Sequence, residues 1–152
     1  MTLLDPKLPQ DGISAGRAEA IARANKPAEI AAKHADAVDR EARFPEEAIT
    51  ALRDARLMGV LAPRRLGGEG AGVGDVVDIC YRLGRACSSS AMIYAMHQVK
   101  VSCVVRHGIG NVWQEDFMRR LTANQLLLAS STTEGGGGGN VLSSEAPVEQ
   151  AG

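Results

Sequence analysis

Apolar positions in the first third of the chain recur in alternating steps of three and four. Ile21, Ala24, Ala28, Ala31, Ala35, Val38 and Ala42 share one helical face within a stretch running from Ser14 to Ala42. Glu19, Arg23, Lys26, Glu29, Lys33, Asp36, Asp39 and Arg40 cover the rest. The small residues on the apolar face allow a neighbouring helix to approach closely. Pro27 is expected to break or kink this helix and leave the preceding turn as a separate piece. His34 falls on the polar side and reads as solvent-facing rather than as a ligand.

The pattern predicts a second helix from Pro45 to about Met58. Proline suits its first position, Glu46 and Glu47 complement the N-terminal end of its dipole, and Ile49, Leu52 and Ala55 or Arg56 form its face. Gly59 is expected to end it. From Val60 to Gly74, Pro63 and the glycines at 67, 68, 70, 72 and 74 predict a tight, irregular loop, too long for a simple connector. Its glycine spacing is neither a Walker A loop nor a dinucleotide fingerprint. Arg64 and Arg65 could meet a phosphate, although solvated loop arginines are the commoner case.

Asp75 to Cys87 predicts a third helix with Val76, Cys80, Leu83 and Cys87 on one face. Ser88, Ser89 and Ser90 offer an N-cap for a fourth, Ala91 to His107, ended by Gly108. Met92, Ile93, Tyr94, Met96, Val99, Val101, Cys103, Val104 and Val105 make it apolar nearly all round. That pattern predicts a buried helix at the centre of a bundle. Its uninterrupted apolar run falls far short of a membrane span. His97 and Gln98 read as a satisfied core polar pair, with ligand contact as the alternative. Asn111 can cap a fifth helix carrying Trp113, Phe117 and Leu121 at steps of four, with Glu115 and Asp116 early and Arg119 and Arg120 late.

The pattern changes at Leu126. An apolar run through Ala129 passes into Ser130-Ser131-Thr132-Thr133-Glu134 and five glycines, Gly135 to Gly139. Hydroxyls beside a glycine run offer hydrogen bonds and backbone N–H groups that a ligand can approach closely. A strand followed by a surface linker is the plainer reading. Val141 to Glu149 alternates weakly, with Pro147, as the start of another strand would. A pair of strands is marginal alone. The expected organisation is a lead-in over residues 1–12, a helical domain over 13–124, and the opening of an unfinished β-domain over 125–152.

Composition narrows the function classes. Of 152 residues, 45% are apolar but only 3% aromatic, so the core must come from Ala, Val, Leu, Ile and Met. Seventeen basic and eighteen acidic residues are interspersed, for a net charge of −1, with no basic stripe for nucleic acid. Cys80, Cys87 and Cys103 have neither a CxxC nor a zinc spacing and read as small core residues in a reducing compartment, which points to the cytoplasm. Residues 1–12 lack the basic start and apolar core of a signal peptide. No paired carboxylates, Ser/His/Asp set or metal cluster is visible, so no catalytic or metal-ligating residue is assigned. Glu134, the acid of the glycine region, reads as structural.

Two stretches carry a resemblance. Phe44-Pro45-Glu46, then Leu57-Met58-Gly59-Val60-Leu61-Ala62-Pro63, then Leu66-Gly67-Gly68-Glu69-Gly70 resemble a helix, proline loop and glycine turn of the acyl-CoA dehydrogenase family. Thr133-Glu134 and the following glycines resemble that family's Thr-Glu-Pro-Gly-x-Gly-Ser-Asp segment. The resemblance implies a mainly α fold: an N-terminal helical bundle with one or two strands at the C-terminal end. It implies FAD as cofactor, and α,β-dehydrogenation of an acyl-CoA thioester or a related small molecule. Thr133 matches the family threonine near the isoalloxazine ring, and Ser130 and Thr132 match its neighbours. Gly138 and Gly139 match the pair near the cofactor and CoA phosphates.

The sequence departs from the family pattern at Gly135 for proline, Gly139 for serine and Asn140 for aspartate. These departures make a flavin-dependent monooxygenase of the same fold an alternative. The family's catalytic glutamate lies in a C-terminal domain beyond Gly152, so the chain alone is expected to be inactive. No membrane or nucleic-acid partner is expected, and a homo-oligomer is. A helical interaction protein without enzymatic activity is the contrasting reading.

Overall fold

The computed structural model describes residues 19–129. Their helices are α1 (Asn25–Glu41), α2 (Glu46–Asp54), α3 (Val73–Ala86), α4 (Ser88–Gly108) and α5 (Val112–Asn124), with a 3-10 turn at Arg64–Leu66. No strand occurs among the described residues. A short helical segment over residues 19–23 precedes α1 and is separated from it at Ala24. Pro27, at the third position of α1, has no N–H to offer there and needs none, so the helix starts afresh at Asn25.

The small-residue face of α1 packs as its periodicity predicts. Ala24, Ala31 and Val38 are buried, and α1 lies against α2 and α3. Ala31 and Val38 join Ala48 of α2 and Cys87 in one apolar cluster. The main core gathers Ile49, Leu52, Leu57, Met58, Val76, Ile79, Leu83 and Tyr94. Burying each Leu or Ile side chain contributes about 1.5–3 kcal/mol.

Several boundaries differ from the pattern-based expectation. The second helix ends at Asp54, not near Met58, and Gly59 does not end it. Arg56 adopts a left-handed φ of 56°. It lets the Arg56 N–H reach Arg53 O at 2.9 Å and the Leu57 N–H reach Leu52 O at 3.0 Å, which closes the helix end. Ala42 (φ 49°) and Gln125 (φ 49°) close α1 and α5 from the same left-handed region. The three serines at 88–90 lie inside the first turn of α4, with Cys87 at the cap position and no side-chain cap bond.

Helix α4 is not buried all round. Tyr94, His97, Gln98 and Val101 face the core, whereas Met92, Met96, Val99 and Cys103 are exposed. The fifth helix is capped as expected, with the Gln114 N–H donating to Asn111 Oδ1 at 3.1 Å. Its buried face is Met118, Leu121 and Thr122, and Trp113 is exposed and stacks on Phe117 with ring centroids 5.9 Å apart. Of the cysteines, only Cys87 is a core residue; Cys80 is half-buried, and none is disulfide-bonded.

Candidate functional site

The chain beyond α2 makes a buried turn at Leu57–Met58, both fully excluded from solvent. Neither residue is in a helix, so its peptide groups need partners from elsewhere. Helix α4 supplies them from Tyr94, His97 and Gln98, which share one face at i, i+3 and i+4. The Tyr94 hydroxyl donates to Leu57 O at 2.9 Å. Gln98 Nε2 donates to Leu57 O and Met58 O, each at 3.1 Å. His97 Nε2 lies 2.8 Å from Met58 O. The Met58 N–H donates to Gln125 Oε1 at 3.0 Å, and Gln125 Nε2 donates to Thr122 O at 2.7 Å.

The other His97 ring nitrogen holds the chain leaving α5. The Leu128 N–H donates to His97 Nδ1 at 3.0 Å. A peptide N–H can only donate and a carbonyl can only accept, so the imidazole carries its proton on Nε2 and is neutral. Burial lowers its pKa, and the Met58 carbonyl opposes that shift. Burial likewise pushes the Tyr94 phenol well up. His97 and Gln98 are thus a core polar pair bonded to backbone, as the sequence suggests, but the pair is not fully satisfied, because buried Gln98 Oε1 has no hydrogen-bond partner among the described residues. Residues 126–129, where a strand was expected to begin, form no ladder among the described residues.

The glycine loop is folded back onto the same region. The Gly70 N–H donates to Ala62 O at 2.8 Å and the Ala71 N–H to Val60 O at 2.9 Å. Gly67 has φ of 85°, and a Cβ at residue 68 would lie 2.0 Å from Ala62 O. The Gly67-Gly68 pair is therefore demanded by backbone conformation and close approach. The buried Thr122 hydroxyl ties α5 to this loop, 2.8 Å from Leu66 O, while Arg56 Nη2 donates to Thr122 O at 3.0 Å. Arg23 pairs with Glu69 and donates to Ala55 O at 3.2 Å.

The loop arginines are engaged within the protein. Arg65 makes a two-pronged contact with Glu115 at 2.8 and 3.0 Å, and Arg64 Nε donates to Glu69 O at 3.1 Å. The Arg65 guanidinium, then the Gly110 N–H, pull the Glu115 carboxyl down to about 2. His34 is partly exposed, 3.3 Å from Glu47. A shallow acidic groove lined by Ile30, Glu46, Glu47, Thr50, Ala51 and Asp54 opens between α1 and α2, away from the buried turn. No group of His, Cys, Asp and Glu among the described residues could hold a metal ion, and no helix of these residues is long and apolar enough to cross a membrane.

Ser130, Thr132, Thr133, Gly138 and Gly139, the residues assigned to cofactor binding, lie outside the described residues, as does Glu134. Tyr94, Thr122 and Gln125 were not singled out as polar partners. A polar i, i+3, i+4 triad on an otherwise apolar helix was the visible signal for Tyr94 beside His97 and Gln98. Gln125 left none, because its role depends on the left-handed turn that follows α5. The buried donors around the exit segment are bonded to backbone. In the described region they serve as backbone anchors.

Residues 20–125 match the family model for the acyl-CoA dehydrogenase N-terminal domain. The chain is 30% identical over 100 residues to 3-sulfinopropanoyl-CoA desulfinase of Paraburkholderia xenovorans, covering 65% of this chain and 24% of that protein. It is 30% identical over 88 residues to acryloyl-CoA reductase (NADH) of Anaerotignum propionicum, covering 58% and 22%. It is 36% identical over 78 residues to the putative acyl-CoA dehydrogenase YdbM of Bacillus subtilis, covering 51% and 20%. The matched part thus spans no more than about a quarter of these relatives' lengths. No solved structure gives a significant match. The buried core, the proline–glycine loop and the five helices lie almost wholly within the matched span, and the chain belongs to the acyl-CoA dehydrogenase family, whose N-terminal helical domain it carries.

Proposed function

We propose that this chain is the N-terminal portion of an acyl-CoA dehydrogenase-like, FAD-dependent oxidoreductase that acts on an acyl-CoA thioester. The carrying observation is the family match across residues 20–125. The relatives' names support the substrate class, since a desulfinase, a reductase and a putative dehydrogenase all specify a CoA thioester. Their different reactions leave α,β-dehydrogenation as the reading drawn from the family as a whole. In this reading residues 13–124 form the helical domain and residues 125–152 open the β-domain.

The described residues contribute placement. Tyr94, Gln98 and Gln125 hold the Leu57–Met58 turn, and His97 holds Leu128, two residues before Ser130. Ser130, Thr132 and Thr133 supply hydroxyls to the flavin, and Gly138 and Gly139 supply backbone N–H groups to the phosphates. The chemistry that FAD supplies when bound is acceptance of the electron pair removed from the substrate. Gly139 and Asn140 stand where the family pattern has serine and aspartate. That substitution favours a second reading, a flavin-dependent monooxygenase of the same fold with a substrate that is not a CoA thioester.

Titration of FAD into the purified chain, followed by flavin fluorescence, tests the cofactor assignment. Saturable binding that Thr133→Ala weakens is the expected result. If the chain, and a longer protein that includes the downstream domains, both fail to bind FAD, the flavoenzyme reading is lost. A monodisperse oligomer without flavin affinity would instead support the interaction-protein alternative.

A further inference from the structure

The geometry points to His97 as a positioning residue that sets where the chain leaves the helical domain, by accepting the Leu128 N–H on Nδ1 while Nε2–H is anchored on Met58 O. The evidence is geometric. His97 is fully buried on α4, and its ring spans two backbone groups of unrelated segments, 2.8 Å to Met58 O and 3.0 Å to the Leu128 N–H. Met58 is itself fixed from its other side by Gln125, the residue that turns the chain out of α5. Gln125 and Leu128 are therefore both referred to one peptide strip, with the imidazole as the second strut. A one-residue slip of the exit segment would bring a different N–H to Nδ1 and shift the point at which every later residue leaves the helical domain.

Ordinary core packing does not account for this arrangement. An apolar residue would fill the same volume without the desolvation cost of a buried imidazole. Met58 O already accepts from Gln98, so His97 is not needed to satisfy that carbonyl. What only His97 provides is an acceptor for Leu128. The groups around the ring are the Met58 and Leu128 peptides and the tilted Tyr94 ring, 6.3 Å away between centroids. The buried Tyr94 phenol stays neutral, so nothing named here favours a charged imidazole.

Two variants separate the two ends of the ring. His97→Asn keeps an acceptor near the Nδ1 position and shortens the reach to Met58. His97→Gln keeps a donor near the Nε2 position and removes the acceptor for Leu128. Amide hydrogen exchange at Leu128 in the full 152-residue chain should speed up roughly tenfold in His97→Gln, the factor expected for one lost hydrogen bond, and stay within about threefold in His97→Asn. In the unaltered chain, NMR should show a coupling across the hydrogen bond between the Leu128 amide nitrogen and His97 Nδ1, with Nε2 as the protonated ring nitrogen. This second measurement needs no variant to fold. Absence of that coupling, or equal exchange at Leu128 in both variants, overturns the proposal.

The functional consequence rests on the flavin reading. If the unaltered chain binds FAD, His97→Gln should weaken binding by roughly tenfold and His97→Asn by less. Failure of the full-length protein to bind FAD would sink the cofactor assignment and leave the Leu128 readout standing. FAD binding with no Leu128 coupling would sink the role of His97 and leave the cofactor assignment standing.

Discussion

Helices α1 and α4 use opposite rules. Helix α1 buries Ala31 and Val38 and turns its charges outward. Helix α4 buries Tyr94, His97 and Gln98 and exposes Met92, Met96 and Val99. The first faces other helices, whose own peptide groups are bonded internally, so apolar contact is all that is required. The second packs against helix α3 as well, but its Tyr94, His97 and Gln98 also meet the non-helical Leu57–Met58 turn and the exit segment, whose peptide groups need donors and acceptors. What a helix buries is set by the hydrogen-bonding state of its neighbour as much as by its own hydrophobicity.

The largest effect that bears on this contrast should come from Tyr94, fully buried on α4. Tyr94→Ala should cost about 3–5 kcal/mol through the cavity and the lost packing. Tyr94→Phe should cost only about 1 kcal/mol, because Leu57 O still accepts from Gln98. Urea unfolding of both variants reads the split. Equal losses would mean that the hydroxyl, rather than the ring, carries the site.

Next is the packing seam of α1. Ala31→Leu should cost about 1–3 kcal/mol by overpacking against α2 and α3. Met96→Lys on the exposed apolar side of α4 should change the stability of the isolated chain by no more than about 0.5 kcal/mol. If Met96→Lys proves the more damaging, that face of α4 is covered in solution and the contrast between the helices is incomplete.

A pH dependence should belong to α4. Burial lowers the His97 pKa from the ordinary 6.5, so the folded chain binds that proton less readily than the unfolded chain does. The stability this represents is present above the unfolded value and is lost as pH falls through the folded pKa, with a slope of at most about 1.4 kcal/mol per pH unit. Unfolding measured from about pH 8 down to about pH 5 should show this slope in the unaltered chain and not in His97→Gln. The same slope in both proteins would assign it to other groups.

The smallest effect concerns the end of α1, where Ala42 holds φ of 49°. Ala42→Gly should stabilise the chain by about 0.5–1 kcal/mol, because glycine reaches that conformation without steric cost. A loss of stability on thermal unfolding would show that Ala42 contributes packing that outweighs its backbone strain.

Much of the fold was legible in the sequence. The small-residue face of α1, the break near Pro27, the proline–glycine loop and the Asn111 cap all rest on interactions local to a few residues, and each lies where the pattern places it. The site was legible only in part. His97 and Gln98 stood out as polar residues on an apolar helix, but their partners Leu57 and Met58 lie about 40 positions earlier in the chain and Leu128 lies 31 positions later. The end of α2 at Asp54 was missed because the left-handed Arg56 that closes it carries no mark in the sequence.

Periodicity, caps and glycine positions therefore determined where helices and loops occur, since those depend on steric and hydrogen-bonding rules that operate over one or two turns. Tertiary structure alone decided which side of α4 is buried, which nitrogen of His97 carries the proton and where Leu128 is held. These depend on bringing the Leu57–Met58 turn, α4 and the end of α5 together, and no local rule encodes the unsatisfied peptide groups that arise only when they meet.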